Sequence, residues 1–229
     1  MRPDKNTKEL LLRVAVDLFS QKGYLNTSIR DIATKAGIAS SIIYHYFNDK
    51  EEMLFEIIKS TTQDLMQSLH ETEEKIKDPE ECLREMLRAH IVDFKINRKK
   101  ESIIVVSDTH LLRDKYHKIM VKLQRKIFDL YMKKLHELSE QGRLREDIDL
   151  LVMNFSIFGT INSFYQWYHE RGRLTREEVA QNIITFLLHA ITRSVSPRKM
   201  LSKLSCATRA PRSLKISVPP RTSPLRGGG

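Results

Sequence analysis

Residues 27–47, TSIRDIATKAGIASSIIYHYF, contain two short apolar stripes, and the segment between them begins with the only glycine of this stretch. The first stripe follows the i, i+3, i+4, i+7 spacing of one helix face and consists of Ile29, Ile32, Ala33 and Ala36. Gly37 permits a sharp turn after it. The second stripe consists of Ile43, Tyr46 and Phe47. The pattern predicts two short helices joined by a tight turn.

The outward face of the second helix carries short or flat side chains, namely Ser40, Ser41, Ile42, Tyr44 and His45. Such a face suits a helix in the major groove, where side chains meet base edges and the flanks meet phosphates. We therefore predict a DNA-reading helix-turn-helix. An ordinary helical hairpin inside a larger bundle has the same apolar spacing, and the pattern alone leaves that alternative open.

Motifs in and around this stretch resemble the N-terminal domain of the tetracycline-repressor (TetR) family of bacterial regulators. They are Gly23-Tyr24, Thr27-Ser28-Ile29, Ile32-Ala33, Ala36-Gly37-Ile38, Ile43-Tyr44-His45-Tyr46-Phe47 and Lys50-Glu51. The resemblance covers about the first fifty residues. It implies a ligand-responsive transcriptional regulator that forms a homodimer, with the last two helices of each copy pairing as a four-helix bundle.

Two positions differ from the family pattern. Ala39 stands where the reading helix usually begins with a capping Ser or Thr, and Ser41 stands where Gly is common. Either the cap is lost or Ser40 provides it. These positions belong to the sequence-reading part, so the departures are expected to change which operator is read.

Eight residues are predicted to contact DNA: Thr27, Ser28, Ser40, Ser41, Ile42, Tyr44, His45 and Lys50. Ser40, Ser41 and Tyr44 are expected to read bases, whereas Thr27, His45 and Lys50 are expected to hold phosphates. Thr27 is also expected to cap the first helix of the pair, where free N–H groups bind phosphate. Lys50 follows at the start of a further helix, where a cation opposes the helix dipole and a phosphate would offset the mismatch. A solvated surface lysine is the alternative.

The remaining sequence predicts an all-α fold. Helical periodicity extends from Asn6 to Gly23, and again from a capping box at Asn48 and Glu51 to Lys75. A further helix is expected to begin after Asp78-Pro79, and a long one to end at about Gln141. The last two helices are expected over 148–172 and 179–191. The run 97–101 is expected to be a connection, and Ile103 to Val106 is too short to distinguish helix from strand. We expect a helix-turn-helix domain over 1–48, a helical sensor and dimerisation domain over 49–193, and a basic tail over 194–229.

The net charge of +10 lies mainly in the tail. Residues 194–229 contain eight basic side chains and no acidic one, which leaves about +2 for the rest of the chain. The high pI is therefore weak evidence for DNA binding by the folded part. The Ser, Pro, Arg and Gly content predicts disorder in the tail, either as a DNA-associating extension or as foreign sequence.

A small apolar effector is expected to bind among the middle and last helices. The residues predicted to line its site are Phe94, Tyr116, Met120, Phe128, Phe155, Phe158, Asn162, Tyr165 and Trp167. The stretch Gly159-x-x-Asn162, Trp167-Tyr168 and Gly172-Arg173-Leu174 also resembles family members that regulate fatty-acid or other acyl-CoA catabolism. Those members often carry Trp beside the Asn, where this chain has Ser163. An acyl-CoA is accordingly one expected effector.

Catalytic chemistry finds little support in the sequence. It contains no HExxH motif, no Gly-rich phosphate loop and no nucleophile elbow, so neither an enzyme nor a cofactor is expected. His110, Asp114 and His117 share one helix face, which could hold a metal ion, but no fourth ligand is identifiable and no metal is predicted. The same groups could instead form the polar mouth of a ligand pocket. An enzyme that uses this histidine face is the most remote hypothesis.

The remaining features favour a cytoplasmic protein without a membrane partner. Cys82 and Cys206 have no metal or redox spacing, and no apolar run approaches the ~18 residues that span a bilayer. The leading hypothesis is a homodimeric repressor that an apolar effector releases from a palindromic double-stranded DNA operator. The alternative is a helical ligand-binding or adaptor protein that does not read DNA.

Overall fold

The computed structural model describes residues 4–168 and 172–193, and within these ranges every regular element is a helix. This confirms the all-α prediction. The α-helices are α1 (Lys5–Lys22), α2 (Ile29–Ala36), α3 (Ser40–Ile43), α4 (Lys50–Lys75), α5 (Pro79–Arg88), α6 (Lys99–Asp108), α7 (Asp114–Glu140), α8 (Leu150–Trp167) and α9 (Arg176–Ile191). A π-helix, Ala89–Ile96, continues directly from α5, and a 3-10 turn, Thr109–Leu111, follows α6. The predicted tail over 194–229 lies outside the described residues.

The caps of the first two helices correct two expectations. Asp4, not Asn6, caps α1, because its carboxylate accepts the N–H of Asn6. Ser28, not Thr27, caps α2. The Ser28 hydroxyl accepts the N–H of Asp31, and the Asp31 carboxylate accepts the N–H of Ser28, which completes a capping box. Gly23 and Gly37 end the two helices with positive φ, as their positions predict.

The cap of α4 is shifted by one residue from the expected box. Asp49 is the N-cap and accepts the N–H of Glu52 at 2.7 Å. The Glu52 carboxylate in turn accepts the backbone N–H of Asn48, also at 2.7 Å. The expected pair, Asn48 and Glu51, and the observed pair, Asp49 and Glu52, have the same three-residue spacing. Side chains of both pairs are able to cap a helix, so the spacing alone does not show which pair does so.

The middle of the chain is more helical than expected. Asp78 caps α5 and Pro79 occupies its first turn, in agreement with the sequence. The π-helix then replaces the continuous α-helix that the periodicity indicates. The apolar run from Ile103 to Val106 belongs to α6, which begins at Lys99, so the expected connection over 97–101 is shortened to its first two residues.

Two hydrophobic cores organise these helices. One core joins the C-terminal half of α4 to α5, the π-helix, α7, α8 and α9, with Leu83, Tyr131 and Ile157 at its centre. The other core joins α1, α2 and α3 to the N-terminal half of α4, to α6 and to the start of α7. The helix-turn-helix therefore shares its core with helices that follow residue 48, where the sequence places the end of a domain.

Candidate DNA-reading surface and effector cavity

The predicted reading helix is a single turn held in place from below. Ile43 is fully buried, and Gly37 has the left-handed backbone (φ 71°) that turns the chain from α2 into α3. Ala39 is the N-cap of α3 and makes no side-chain hydrogen bond. Of the two possibilities given by the sequence, the cap is therefore lost, and Ser40 is instead the first helical residue.

The outward side chains of α3 and the turn after it form one exposed surface. Tyr44 is 59% exposed and Ile42 is 37% exposed. Ser41 and His45 are also exposed, whereas Ser40 is half-buried. These five side chains remain predicted DNA contacts, and the structure presents four of them openly to solvent.

Thr27 and Ser28 have different surroundings. Thr27 is 1% exposed, and its hydroxyl donates to the carbonyl oxygen of Gly23 at 2.9 Å. Ser28 is exposed at the N-terminus of α2, where an anion is favoured by the free N–H groups. Ser28 is thus the better placed of the two for a phosphate contact.

Lys50 has a structural role that its sequence position does not reveal. Its ammonium donates to the carbonyl oxygens of Tyr24 and Thr27, at 2.8 and 2.7 Å. It also lies 4.1 Å from the centre of the Tyr24 ring. Burial lowers the pKa of Lys50, and the Asp31 carboxylate acts in the opposite direction. These contacts fasten the turn between α1 and α2 to the start of α4, with one N–H group left for the predicted phosphate.

A cavity of about 660 Å³ lies between α4, the π-helix, α6, α7 and α8. Five of the residues predicted for the effector site line it: Phe94, Phe128, Phe155, Phe158 and Asn162. The other lining residues, which that prediction did not include, are Thr61, Thr62, Leu65, His90, Lys95, Ser102, Val105, Val106, Thr109, His110, His117, Gln124, Ile127 and Gly159. Aromatic rings and a few polar groups make this a typical ligand cavity.

Three other residues predicted for the effector site lie outside the cavity lining. Tyr116 stacks on Phe55, with 4.3 Å between ring centres, and Met120 is fully buried in the same core beneath the helix-turn-helix. Both lie near the start of α7, where the neighbouring His117 lines the cavity but these two side chains pack in the other core. Trp167 is 47% exposed and packs on Phe164. Tyr165 belongs to α8, but its side chain lies outside the described part of the structure.

The π-helix contributes two polar side chains, His90 and Lys95, to the cavity. His90 is buried, and its Nδ1 lies 3.2 Å from the hydroxyl of Tyr131, which donates to the carbonyl oxygen of Met86. Since the tyrosine proton is used there, the network assigns the N–H of His90 to Nδ1 and leaves Nε2 as an acceptor. Burial and the nearby Lys95 lower the pKa of His90, which is therefore neutral.

Of the three residues considered as metal ligands, two line the cavity and one does not. His110 and His117 line the cavity, in keeping with the alternative of a polar pocket mouth, and Asp114 begins α7 outside the lining. Among the described residues, no group of three histidine, cysteine or carboxylate side chains is arranged to hold a metal ion.

Several large apolar side chains of α8 and α9 are exposed, although one of them, Phe155, also lines the cavity. Val152, Phe155 and Phe186 are 55%, 60% and 65% exposed, and Leu151 is 47% exposed. Exposed apolar side chains of this size are more typical of an interface than of a surface facing water. None of the helices in the described ranges is long and apolar enough to cross a membrane.

A helix-turn-helix that shares a core with a cavity-forming helical domain is the architecture of a one-component transcriptional regulator. The profile of tetracyclin repressor-like C-terminal domains matches residues 77–191, and the profile of bacterial regulatory proteins of the tetR family matches residues 11–57. The chain belongs to the tetracycline-repressor (TetR) family of transcriptional regulators. The resemblance noted in the sequence is confirmed.

Individual relatives are similar along most of their length. The HTH-type transcriptional repressor KstR2 of Mycobacterium tuberculosis (strain ATCC 25618 / H37Rv) is 28% identical over 187 residues, which are 80% of this chain and 92% of the relative. The fatty acid metabolism regulator protein of Bacillus subtilis (strain 168) is 24% identical over 159 residues, covering 66% of this chain and 78% of the relative.

Solved structures show the same fold. The structure of AibR in complex with isovaleryl coenzyme A and operator DNA has a TM-score of 0.74 at 26% identity, over 80% of this chain and 98% of that one. The structure of the ketosteroid regulator KstR2 of Mycobacterium tuberculosis has a TM-score of 0.77 at 24% identity, over 84% of this chain and 98% of that one.

Proposed function

We propose that this protein is a cytoplasmic homodimeric repressor without enzymatic activity, which an apolar effector such as an acyl-CoA releases from a palindromic operator. The observation that carries the proposal is the position of α6. Ser102, Val105 and Val106 of this helix line the cavity, while Ile104 is fully buried in the core of the helix-turn-helix. A ligand that displaces α6 therefore acts directly on the helices that hold the reading surface.

The surface around α3 supports the DNA-binding part of the proposal. Ser41, Ile42, Tyr44 and His45 are exposed together, while the Ile43 side chain between them anchors the turn. A surface of this kind fits base edges in a major groove, with Ser28 at a helix N-terminus beside it for a phosphate.

The exposed apolar side chains of α8 and α9 support the homodimer. In a two-fold arrangement the same patch of each copy covers the other, so that Phe155 and Phe186 would be removed from water. Two reading helices related by that axis would bind half-sites separated by one or more helical turns.

The acyl-CoA part rests on the cavity and on the relatives. Aromatic rings of Phe94, Phe128 and Phe158 provide an apolar wall for an acyl chain. One similar structure is described with isovaleryl coenzyme A, and one relative is named a fatty acid metabolism regulator.

Binding to the DNA upstream of the protein's own coding region tests the proposal. The full-length chain is titrated against that duplex and against a random duplex over a range of salt, with decanoyl-CoA and isovaleryl-CoA added in turn. We expect selective binding that one of these ligands weakens. Equal, strongly salt-dependent binding to both duplexes at every candidate upstream region would overturn the repressor proposal.

A further inference from the structure

Lys95 is a buried cation without a partner among the described residues. Its side chain is 6% exposed, and it lines the cavity. It makes no hydrogen bond or ion pair with any residue that the structure describes. Burial alone lowers the pKa of Lys95 to about 8, so no described carboxylate lies close enough to raise it.

A buried lysine is ordinarily paired, because an isolated charge is costly to remove from water. Lys134 shows the ordinary arrangement in the same molecule. It is also 6% exposed, but its ammonium lies 3.0 Å from the carboxylate of Glu73 and 2.8 Å from that of Glu137. The charge of Lys95 has no such compensation within the described residues, and it faces a cavity large enough for a ligand.

The π-helix determines where this charge lies. Its N–H groups bond to carbonyl oxygens five residues back, as Asn97 does to Val92 at 2.9 Å. Residues five apart consequently lie on nearly the same side, so that both His90 and Lys95 line the cavity. A regular α-helix would turn them apart. Phe158 packs against His90 at 6.1 Å and stacks with Phe128 at 5.7 Å between ring centres, so the cation lies in an aromatic cavity.

We propose that Lys95 binds the anionic group of an amphipathic effector, in the first place a carboxylate, while the apolar body of the effector packs against Phe94, Phe128 and Phe158. Neutral His90 can accept a hydrogen bond from the same ligand at Nε2 but supplies no charge. The inference rests on the proposed function, in which the cavity is the effector site, and it narrows the effector class to apolar acids. A free carboxylic acid and a phosphate of coenzyme A are the two sources of such an anion.

Two fluorescent compounds that differ by one anionic group test the proposal. The anionic compound is 8-anilinonaphthalene-1-sulfonate, and its neutral counterpart is N-phenyl-1-naphthylamine. Their affinities are measured for the full-length protein, for Lys95→Met and for Lys126→Met, which removes an exposed lysine of α7 next to cavity residue Ile127. Decanoate and coenzyme A are then added as competitors.

We expect Lys95→Met to lower the affinity for the sulfonate at least tenfold and to leave the affinity for the neutral compound unchanged. Lys126→Met is expected to change neither affinity. Competition by decanoate that disappears in Lys95→Met identifies a carboxylate as the anion, and competition by coenzyme A that disappears identifies a phosphate. The proposal is overturned if the sulfonate does not bind, if it binds equally to Lys95→Met, or if Lys95→Met lowers the affinities for both compounds alike.

Measurements of operator binding distinguish a failure of the anion site from a failure of the proposed function. The π-helix that carries Lys95 packs in one hydrophobic core, and the reading surface rests on the other, so Lys95→Met is expected to bind the operator as the unaltered protein does. Lys95-dependent anion binding that leaves operator affinity unchanged would uphold the anion site and overturn only the effector response. A response to a neutral ligand that Lys95→Met retains in full would uphold the repressor and overturn the anion site.

Discussion

Lys100 of α6 donates a hydrogen bond to Asp17 of α1, with 2.5 Å between Nζ and Oδ1. Asp17 also lies 3.6 Å from the ammonium of Lys35 on α2. The hydrogen bond from Lys100 lowers the pKa of the Asp17 carboxyl, and the positive charge of Lys35 acts in the same direction. Because α6 also lines the cavity, this bond joins a wall of the ligand site to two helices of the DNA-binding part.

Replacing Lys100 is expected to reduce the effect of the effector on operator affinity while changing the stability of the fold only slightly. The pair is half-exposed, and exposed ion pairs contribute only about 0–1 kcal/mol to stability. In Lys100→Gln we expect operator affinity to change a few-fold less on effector binding, with the unfolding midpoint nearly unchanged. Operator titrations with and without effector measure this ratio. Lys133→Gln removes another ion pair of an exposed lysine, to Glu73, without touching α1 or the cavity lining, and an equal loss of response in that control would contradict the role of Lys100.

The Lys50 ammonium is expected to contribute to stability through its two carbonyl contacts. Lys50→Met leaves the carbonyl oxygens of Tyr24 and Thr27 without this donor, which costs on the order of 1–3 kcal/mol for hydrogen bonds to a charged group. Urea unfolding measures the decrease. Lys59→Met, on the same helix α4, is the control and is expected to cost much less, since its ion pair with Glu56 spans 4.0 Å and is half-exposed.

Salt dependence of operator binding separates the two roles of Lys50. If the remaining N–H group also holds a phosphate, Lys50→Met reduces the slope of log affinity against log salt by about 0.9 for each phosphate that is no longer neutralised. An unchanged slope together with reduced stability would mean that Lys50 is structural and makes no phosphate contact.

Much of the DNA-binding part was predictable because local patterns determine it. The stripe of Ile32 and Ala33, the turn at Gly37 and the anchor at Ile43 are all visible in consecutive residues, and each lies where expected. Caps were harder to assign where neighbours compete. Thr27 and Ser28 are both able to cap α2, and the contact between the Thr27 hydroxyl and Gly23 decides between them only in three dimensions.

The part of the cavity that was predictable from the sequence is mainly its aromatic wall, together with Asn162. Phe155 and Phe158 lie three residues apart on α8, so their common side can be inferred from the sequence. Lys95 was not found in this way, because a lysine four residues after Ile91, at the edge of the stripe that contains Phe94, ordinarily extends its ammonium to water. A lysine within the mostly apolar window AHIVDFKI was the available signal, but the π-helix that turns it inward does not show in a 3.6-residue period.

Tyr44 is expected to contribute to operator recognition without contributing to the fold. It is 59% exposed and does not belong to either hydrophobic core. Tyr44→Ala should lower operator affinity by about 1–3 kcal/mol, roughly fivefold to 150-fold, with no change in urea unfolding. Leu25→Ala is a matched control, since Leu25 is 73% exposed but lies in the turn before α2. Unaltered operator binding by Tyr44→Ala would remove this residue from the reading surface.

Phe186 is expected to hold two copies of the chain together. A charge at this 65% exposed position of α9 would be buried without a partner in a two-fold interface, so Phe186→Glu should shift the protein to a monomer. Sedimentation velocity measures the shift, and operator affinity should fall with it because a monomer binds one half-site. Val121→Glu alters a 49% exposed apolar residue of α7 as the control. A dimer that persists in Phe186→Glu at low micromolar concentration would place the interface elsewhere.

Lys95 is expected to make the ligand-free protein less stable than it would be with an uncharged residue at that position. Its pKa is about 8 in the folded protein and near 10.5 in the unfolded chain, so the unfolded state binds the proton more tightly. The penalty, at most about 3 kcal/mol from this difference, is fully present below pH 8 and fades as the pH rises from 8 to 10.5. Lys95→Met should therefore raise the free energy of unfolding at pH 7, and the gain should shrink across that window.

Urea unfolding from pH 7 to 10 measures this difference, with Lys126→Met as the control for removal of an exposed lysine. The other titratable side chains that line the cavity are His90, His110 and His117, and burial together with the nearby Lys95 lowers the pKa of His90 away from this window. An anion bound to Lys95 restores the charge interaction, so saturating decanoate should stabilise the unaltered protein more than Lys95→Met. A gain in Lys95→Met that is constant across the window would show that the difference arises from packing and not from a buried charge.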